Sequence, residues 1–276
     1  MFLDMHLTSK CNLRCKHCYL SNSYKNKEIE MPFELFKKIT DDFMSIQPEM
    51  RKTYLLSGGE VTTYPYINEA IDYFHKKYDR GVTIASNGYK VKSLLAKASL
   101  GKKDRIQLSL DGDKIMHNWL RGNNYTTVIR ALETLEKERV QRTIHMTVHS
   151  ANAHTIPHVI EVAKKYDALN LSLNYYHDNG NELLDQVSIE DFLAADKYLS
   201  KYYNTIGDKR CYLNGCVAGK SGLSVLPDGT YWDCSRNQKI IGKYPEKLID
   251  VLNNQKSISP KETCMKTKKE EVIVYE

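Results

Sequence analysis

The chain has 276 residues, 41% hydrophobic and 27% charged, proportions that exclude wholesale disorder. That length holds about two domains of ordinary size, and no apolar run approaches the ~18 residues a membrane span needs. Forty Lys and Arg against 34 Asp and Glu leave a net charge of +6, which tolerates an acidic partner without requiring one, so neither nucleic acid nor a membrane is an expected partner.

In chain order, short β-branched runs alternate with amphipathic stretches. Phe2–Leu7 reads as a first strand. In Pro32–Ile46, Phe33, Phe36, Ile39, Phe43 and Ile46 recur at helical steps. Thr53–Leu56, Val82–Ala85, Arg105–Leu110, Thr143–Val148 and Asn170–Leu173 read as further strands, with helical spacing in Tyr66–Tyr78, Ala131–Glu138 and Ile156–Tyr166. This alternation implies parallel strands joined by right-handed crossovers. Six strands in roughly 175 residues fall short of a complete barrel of eight. The expected fold is therefore α/β, a partial (β/α)6 TIM-like barrel over residues 1–206.

After residue 206 the pattern changes. Gly215, Gly219, Gly222 and Gly229 cluster, and Leu223–Leu226 and Tyr231–Asp233 flank Pro227-Asp228-Gly229. Asp-Gly between two short runs signals a hairpin, because the turn needs residues that accept positive φ. Residues 207–276 are expected to form a small, irregular α+β domain. Its tail mixes Lys256, Lys261, Lys266, Lys268 and Lys269 with Glu262, Glu270 and Glu271, a solvated face and not a nucleic-acid arm.

Seven cysteines, an odd number without an export signal before them, argue for metal or redox chemistry in the cytoplasm over a disulfide framework. Three lie in Cys11-Asn-Leu-Arg-Cys15-Lys-His-Cys18, directly after the first strand. Thiolates are soft ligands that suit iron–sulfur clusters and zinc. Three ligands on a four-iron cube leave one iron open, and open positions go with chemistry. The competing reading is zinc, completed by His17 or a distant residue, although paired two-residue gaps are its usual spacing.

The Cys11-x3-Cys15-x2-Cys18 loop resembles the signature of the radical S-adenosylmethionine (SAM) superfamily. The resemblance implies a partial (β/α)6 barrel and a [4Fe–4S] cluster on Cys11, Cys15 and Cys18. It also implies SAM bound at the open iron and cleaved by one electron to a 5′-deoxyadenosyl radical that takes a substrate hydrogen. Position 17, often aromatic in that family, is His17 here. Ser57-Gly58-Gly59-Glu60 is similar to the family's SAM-amine motif. Gly58 and Gly59 permit close backbone approach, and Glu60 offers acceptors to an ammonium. Ser86-Asn87-Gly88 and Ser109-Leu110-Asp111-Gly112 follow the third and fourth strands, at the ends where barrel sites form. Both also suit plain turns. By resemblance, Ser86 and Asn87 serve polar groups of SAM, Ser109 and Asp111 its ribose, and Arg121, in His117-Asn118-Trp119-Leu120-Arg121-Gly122, its carboxylate.

Cys211, Cys216, Cys234 and Cys264 remain. Cys216 and Cys234 bracket the predicted hairpin, whose turn draws its ends together. The spacing resembles the opening of the SPASM auxiliary-cluster domain. Only Cys264 follows, as in the shortened twitch form with a single auxiliary cluster, expected to be [4Fe–4S]. Either all four cysteines close that cluster or Cys211 stays a free thiol, and a zinc ribbon would use the same set. His145, His149, His154 and His158 crowd one region but lack the Glu of a zinc-protease helix. His145 and His149 have the parity either to line the barrel or to be ordinary polar positions. Tyr175-Tyr176-His177 ends the sixth strand and is given no role.

The resemblance to radical SAM enzymes with auxiliary-cluster domains implies hydrogen abstraction from a ribosomally made peptide, ending in epimerisation or a thioether or carbon–carbon cross-link. Expected partners are that peptide and an electron donor such as flavodoxin or ferredoxin. With Cys11 so near the start, the expectation is that the C-terminal domain or a separate peptide-recognition protein binds the peptide, or that no leader is used. Two other readings compete. One is a twitch-type oxidoreductase or cyclase acting on a small molecule; the other is a non-catalytic zinc-binding interaction module.

Overall fold

A computed structural model describes residues 1–98, 100–177, 183–203 and 218–255. In chain order the elements are β1 (Phe2–Thr8), α1 (Asn22–Lys25), α2 (Phe33–Ser45), β2 (Thr53–Gly58), α3 (Ile67–Tyr78), β3 (Thr83–Ser86), α4 (Val91–Leu95), β4 (Arg105–Ser109), α5 (Lys114–Arg121), α6 (Tyr125–Lys137), β5 (Gln141–Val148), α7 (Ile156–Lys165), β6 (Asn170–Tyr175), α8 (Ile189–Leu199), β7 (Gly222–Val225), β8 (Thr230–Trp232), β9 (Ile240–Lys243) and α9 (Leu248–Asn253). They fall into two compact units. The first comprises Met1–Asn12, Leu20–Ile106 and the described residues 218–255; the second comprises Leu13–Tyr19 and the described residues from Gln107 to 203.

In the first unit the strands run in the order β3-β2-β1-β7-β8-β9. β1 pairs in parallel with β2 and with β7. Leu3, Met5 and Leu7 on one face of β1 are fully buried, while Asp4, His6 and Thr8 on the other are buried and polar. A parallel strand covered on both faces normally reads as continuous apolar sequence. Here the polar face is satisfied sideways: Asp4 accepts from Ser57 and is 3.1 Å from His6 Nε2. In the same unit α2 buries Phe36, Ile39 and Phe43 at helical spacing. Each such side chain contributes about 1.5–3 kcal/mol of burial.

The expected hairpin forms. β7 and β8 pair antiparallel, Ser224 opposite Trp232, and Gly229 takes φ +81° in the turn. Its first strand is also the parallel neighbour of β1, so the described residues 218–255 pack in the same unit as β1–β3. Residues 204–217, on which the expected domain boundary falls, and the Lys-rich tail of residues 256–276 lie outside the described residues.

In the second unit the order is β6-β5-β4, with β5 and β6 parallel and Thr143, His145 and Thr147 opposite Asn170, Ser172 and Asn174. Ile144, Met146 and Val148 on the opposite face are fully buried. The short α5 is delimited by its ends. Asp113 caps its start by accepting from Met116 N at 2.9 Å, and Gly122 leaves it at φ +75°.

Candidate functional site

In the first unit, Cys11 and Asn12 follow β1 and are held by the ends of β2 and β3. Gly59 N donates to the Thr8 carbonyl and Glu60 N to the Lys10 carbonyl, each at 2.8 Å. A Cβ on Gly59 would lie 2.2 Å from the Lys10 carbonyl oxygen, and one on Gly58 2.3 Å from that of Thr8. The two glycines are therefore required by close approach of the chain that leads into the cysteine loop. Glu60 is 1% exposed. Its Oε1 accepts from Thr62 N, Thr62 Oγ1 and Ser86 Oγ at 3.1, 2.6 and 2.8 Å, and its Oε2 from Asn87 N at 2.7 Å. Asn87 Nδ2 then donates to Asn12 Oδ1 at 2.9 Å. Gly58, Gly59, Glu60, Ser86 and Asn87 thus form one connected network that ends beside Cys11.

In the second unit, Cys15 to Cys18 are held by the segment from the end of β4 through α5. Arg121 Nη1 lies 3.9 Å from Cys15 Sγ. Lys16 N donates to the Leu120 carbonyl at 2.9 Å, and its ammonium sits 3.7 Å from the centre of the Trp119 ring. His17 Nε2 is 3.2 Å from Asp111 Oδ2, which also accepts from Arg121 Nε. Asp111 is fully buried. Burial alone would raise its carboxyl, but Arg121 and His17 outweigh that cost and hold it well below the usual carboxylate range. Burial likewise opposes the charge on Arg121, and Asp111 together with Cys15 outweighs it, raising its pKa. Asp111 and Arg121, expected from the sequence to reach separate parts of SAM, are thus paired with each other. Ser109 is half-buried at the end of β4.

Around Asp111 stand two histidines, His117, to which sequence reasoning gave no role, and His149, whose role it left open. Asp111 N donates to His117 Nδ1 at 3.1 Å, which leaves the ring proton on Nε2. His149, at the end of β5, has its ring centre 6.4 Å from that of His17, and its Nδ1 accepts from Ala151 N. Burial pushes His117 down to about 3 and His149 to about 4. His145 is hydrogen-bonded to Gln107 at 2.6 Å. Strand parity left His149 open between lining the barrel and an ordinary polar position; the structure buries it beside His17. The cap residues Asp113 and Gly122 could have placed α5, and with it His117, on the same support.

Of the second cysteine set, Cys234 is a free, half-buried thiol in the first unit. It follows Asp233, whose Oδ1 accepts from Cys234 N at 2.7 Å. Burial pushes the Cys234 thiol up. Cys211, Cys216 and Cys264 lie outside the described residues.

Cys11, Cys15 and Cys18 are half-buried cysteines that share one loop. Among the described residues no three His, Cys, Asp or Glu side chains form a ready metal-holding group, so the fit rests on donor chemistry. Three soft sulfur donors on one loop, with the Arg121 guanidinium beside Cys15, are the ligand type that an iron–sulfur cluster takes. Among the described residues no helix is long and apolar enough to cross a membrane.

Comparison with known proteins gives the same direction. Residues 5–161 match the family model described as the radical SAM superfamily. The chain is 27% identical over 248 residues to the antilisterial bacteriocin subtilosin biosynthesis protein AlbA of Bacillus subtilis (strain 168), covering 83% of this chain and 53% of AlbA. It is 25% identical over 253 residues to the Fe-coproporphyrin III synthase of Methanosarcina barkeri (strain Fusaro / DSM 804), covering 89% and 60%. It spans a little over half the length of these curated relatives. The crystal structure of Streptococcus suis SuiB bound to precursor peptide SuiA superposes with a TM-score of 0.74 at 17% identity, over 91% of this chain and 64% of SuiB. That likeness shows the shared fold, the α/β partial barrel expected from the sequence. Because the family match takes in more than half of the chain, including the cysteine loop and the motifs after β2, β3 and β4, the protein belongs to the radical SAM superfamily.

Proposed function

We propose that this chain is a radical SAM enzyme that takes a hydrogen atom from a residue of a ribosomally made peptide, leading to epimerisation or to a thioether or carbon–carbon cross-link. The observation that carries it is the loop of three unbridged cysteines, anchored at Cys11 by the Gly59–Glu60–Asn87 network and at Cys15 by Arg121. Cys11, Cys15 and Cys18 hold a [4Fe–4S] cluster, which with SAM supplies one-electron cleavage to the 5′-deoxyadenosyl radical. Gly58, Gly59 and Glu60 serve the amine side of SAM, with Ser86, Asn87 and Ser109 as its polar contacts. Buried networks around these residues keep their orientation fixed when substrate enters. Cys234 joins Cys211, Cys216 and Cys264 on one auxiliary cluster in a twitch-type segment over residues 207–276. An electron donor of the flavodoxin or ferredoxin kind and a separate peptide-recognition protein complete the system, in the cytoplasm.

The peptide substrate is supported by the likeness to AlbA, a bacteriocin biosynthesis protein. The likeness to an Fe-coproporphyrin III synthase favours a second reading, a small-molecule oxidoreductase. Anaerobic co-expression with candidate short peptides, followed by mass spectrometry and chiral amino-acid analysis, separates them. A peptide changed by loss of two hydrogens, or epimerised at unchanged mass, is the expected result. Unmodified peptides alongside turnover of a small molecule would overturn it.

A further inference from the structure

Three consecutive residues of the cysteine loop are tied to one short stretch of the second unit. Cys15 Sγ meets Arg121, Lys16 meets Leu120 and Trp119, and His17 meets Asp111. Asp111 is the fixed point of this arrangement. Its Oδ1 accepts from Thr147 N at 2.8 Å, while its Oδ2 faces both Arg121 Nε and His17 Nε2. Its own main chain is held as well: Asp111 N donates to His117 Nδ1, and its carbonyl accepts from Asn152 Nδ2 at 3.1 Å. Asn152 Oδ1 in turn accepts from His149 N at 2.9 Å. Fully buried, the Asp111 carboxylate thus turns both of its oxygens to partners inside the second unit.

We propose that Asp111 is a positioning residue for the cysteine loop, fixing the segment that carries Cys15 and Cys18 through His17 on one side and Arg121 on the other. An ionised carboxylate is required, because one oxygen must face two donors of which one is a guanidinium. Asparagine in its place offers a single acceptor oxygen and turns an N–H₂ toward Arg121 or Thr147. His17 holds its partner from a position adjacent to Cys18, so the ring transmits the anchor directly to the loop. The proposal rests on the reading of Cys15 and Cys18 as cluster ligands.

The test uses the full chain, reconstituted anaerobically with iron and sulfide, as wild type, Asp111→Asn, His17→Phe and Val128→Ala. The last removes buried volume from α6 and controls for plain destabilisation. Three quantities are read: the rate of iron loss to a chelator, the electron paramagnetic resonance spectrum of the reduced cluster that responds to SAM, and the affinity for SAM. Asp111→Asn and His17→Phe are expected to lose iron at least ~10-fold faster and to change the spectrum, while Val128→Ala keeps the wild-type rate and spectrum. Asp111→Asn with wild-type iron loss and spectrum but weakened SAM binding would overturn the proposal and return the carboxylate to the nucleoside. If Asp111→Asn does not fold, wild-type behaviour of His17→Phe overturns it equally. Wild-type protein that takes up no cluster would overturn both this proposal and the ligand reading beneath it.

Discussion

Asn87 N donates to Glu60 Oε2 at 2.7 Å, so the residue after β3 is joined to the residue two places beyond β2 by a buried, charge-assisted bond. The same Asn87 side chain reaches Asn12, next to Cys11. Glu60 is thereby a structural cross-brace as well as a member of the glycine motif.

Replacing Glu60 by Gln should break that brace. The amide has one acceptor where the carboxylate had two, and its N–H₂ would face the donors of Thr62 or Asn87. Leaving buried donors unpaired costs about 1–3 kcal/mol, which shows as a drop of several degrees in Tm. Thermal unfolding of metal-free Glu60→Gln beside wild type measures it. An unchanged Tm would mean that the network does not hold this end of the loop.

Gly59→Ala and Gly122→Ala should separate two kinds of glycine. At Gly59 the added methyl meets main-chain atoms of Ser9 and Lys10 at 2.2–2.6 Å, which only backbone movement relieves, so loss of soluble folded protein is expected. At Gly122 nothing lies within 4 Å, and only the φ of +75° opposes the change, a cost of about 1–3 kcal/mol. Soluble yield and Tm of the two variants give the comparison. Equal tolerance would place Gly59 in a looser setting than the one described.

Acid should destabilise the metal-free protein before its carboxylates titrate. His117 and His149 are pushed by burial to about 3 and about 4, below the ~6.5 of an unfolded histidine. Their contribution is fully present above that unfolded value and is lost as pH falls toward the folded values, because only the unfolded chain then binds the protons. The slope is up to about 1.4 kcal/mol per pH unit for each group. Urea midpoints at pH 7 and pH 5 should fall accordingly, and His149→Asn, which keeps an acceptor for Ala151 N, should lessen the fall. A midpoint independent of pH in this window would show that these rings are hydrated.

Most of the fold was legible because its strands carry a two-residue period and β-branched runs. The six predicted strands correspond to β1–β6 within two residues at each end, and the helices at Phe33, Ile67 and Ile156 start within one residue of expectation. The helix α5 was not recognised, since eight residues are too short to sustain an apolar period and its limits lie in its caps, Asp113 and Gly122. The helix α8 was missed although Ile189, Phe192, Ala195 and Leu199 recur at helical spacing and Ser188 caps its start by accepting from Asp191 N. The cysteine loop and the motifs after β2, β3 and β4 were legible as positions, but their contacts were not. That Asp111 would face Arg121 and His17 depends on how α5 packs on the loop, and no local pattern encodes it. Likewise, β7 joins β1 across more than 200 residues of sequence.

The most direct test of the functional account is to reconstitute the chain anaerobically, add SAM and dithionite, and quantify 5′-deoxyadenosine for wild type and Cys15→Ala. The account predicts steady formation by wild type, protein carrying at least about four irons, and formation lost in Cys15→Ala. Colourless protein that binds zinc instead and yields no 5′-deoxyadenosine would contradict it and leave a metal-stapled binding protein in its place.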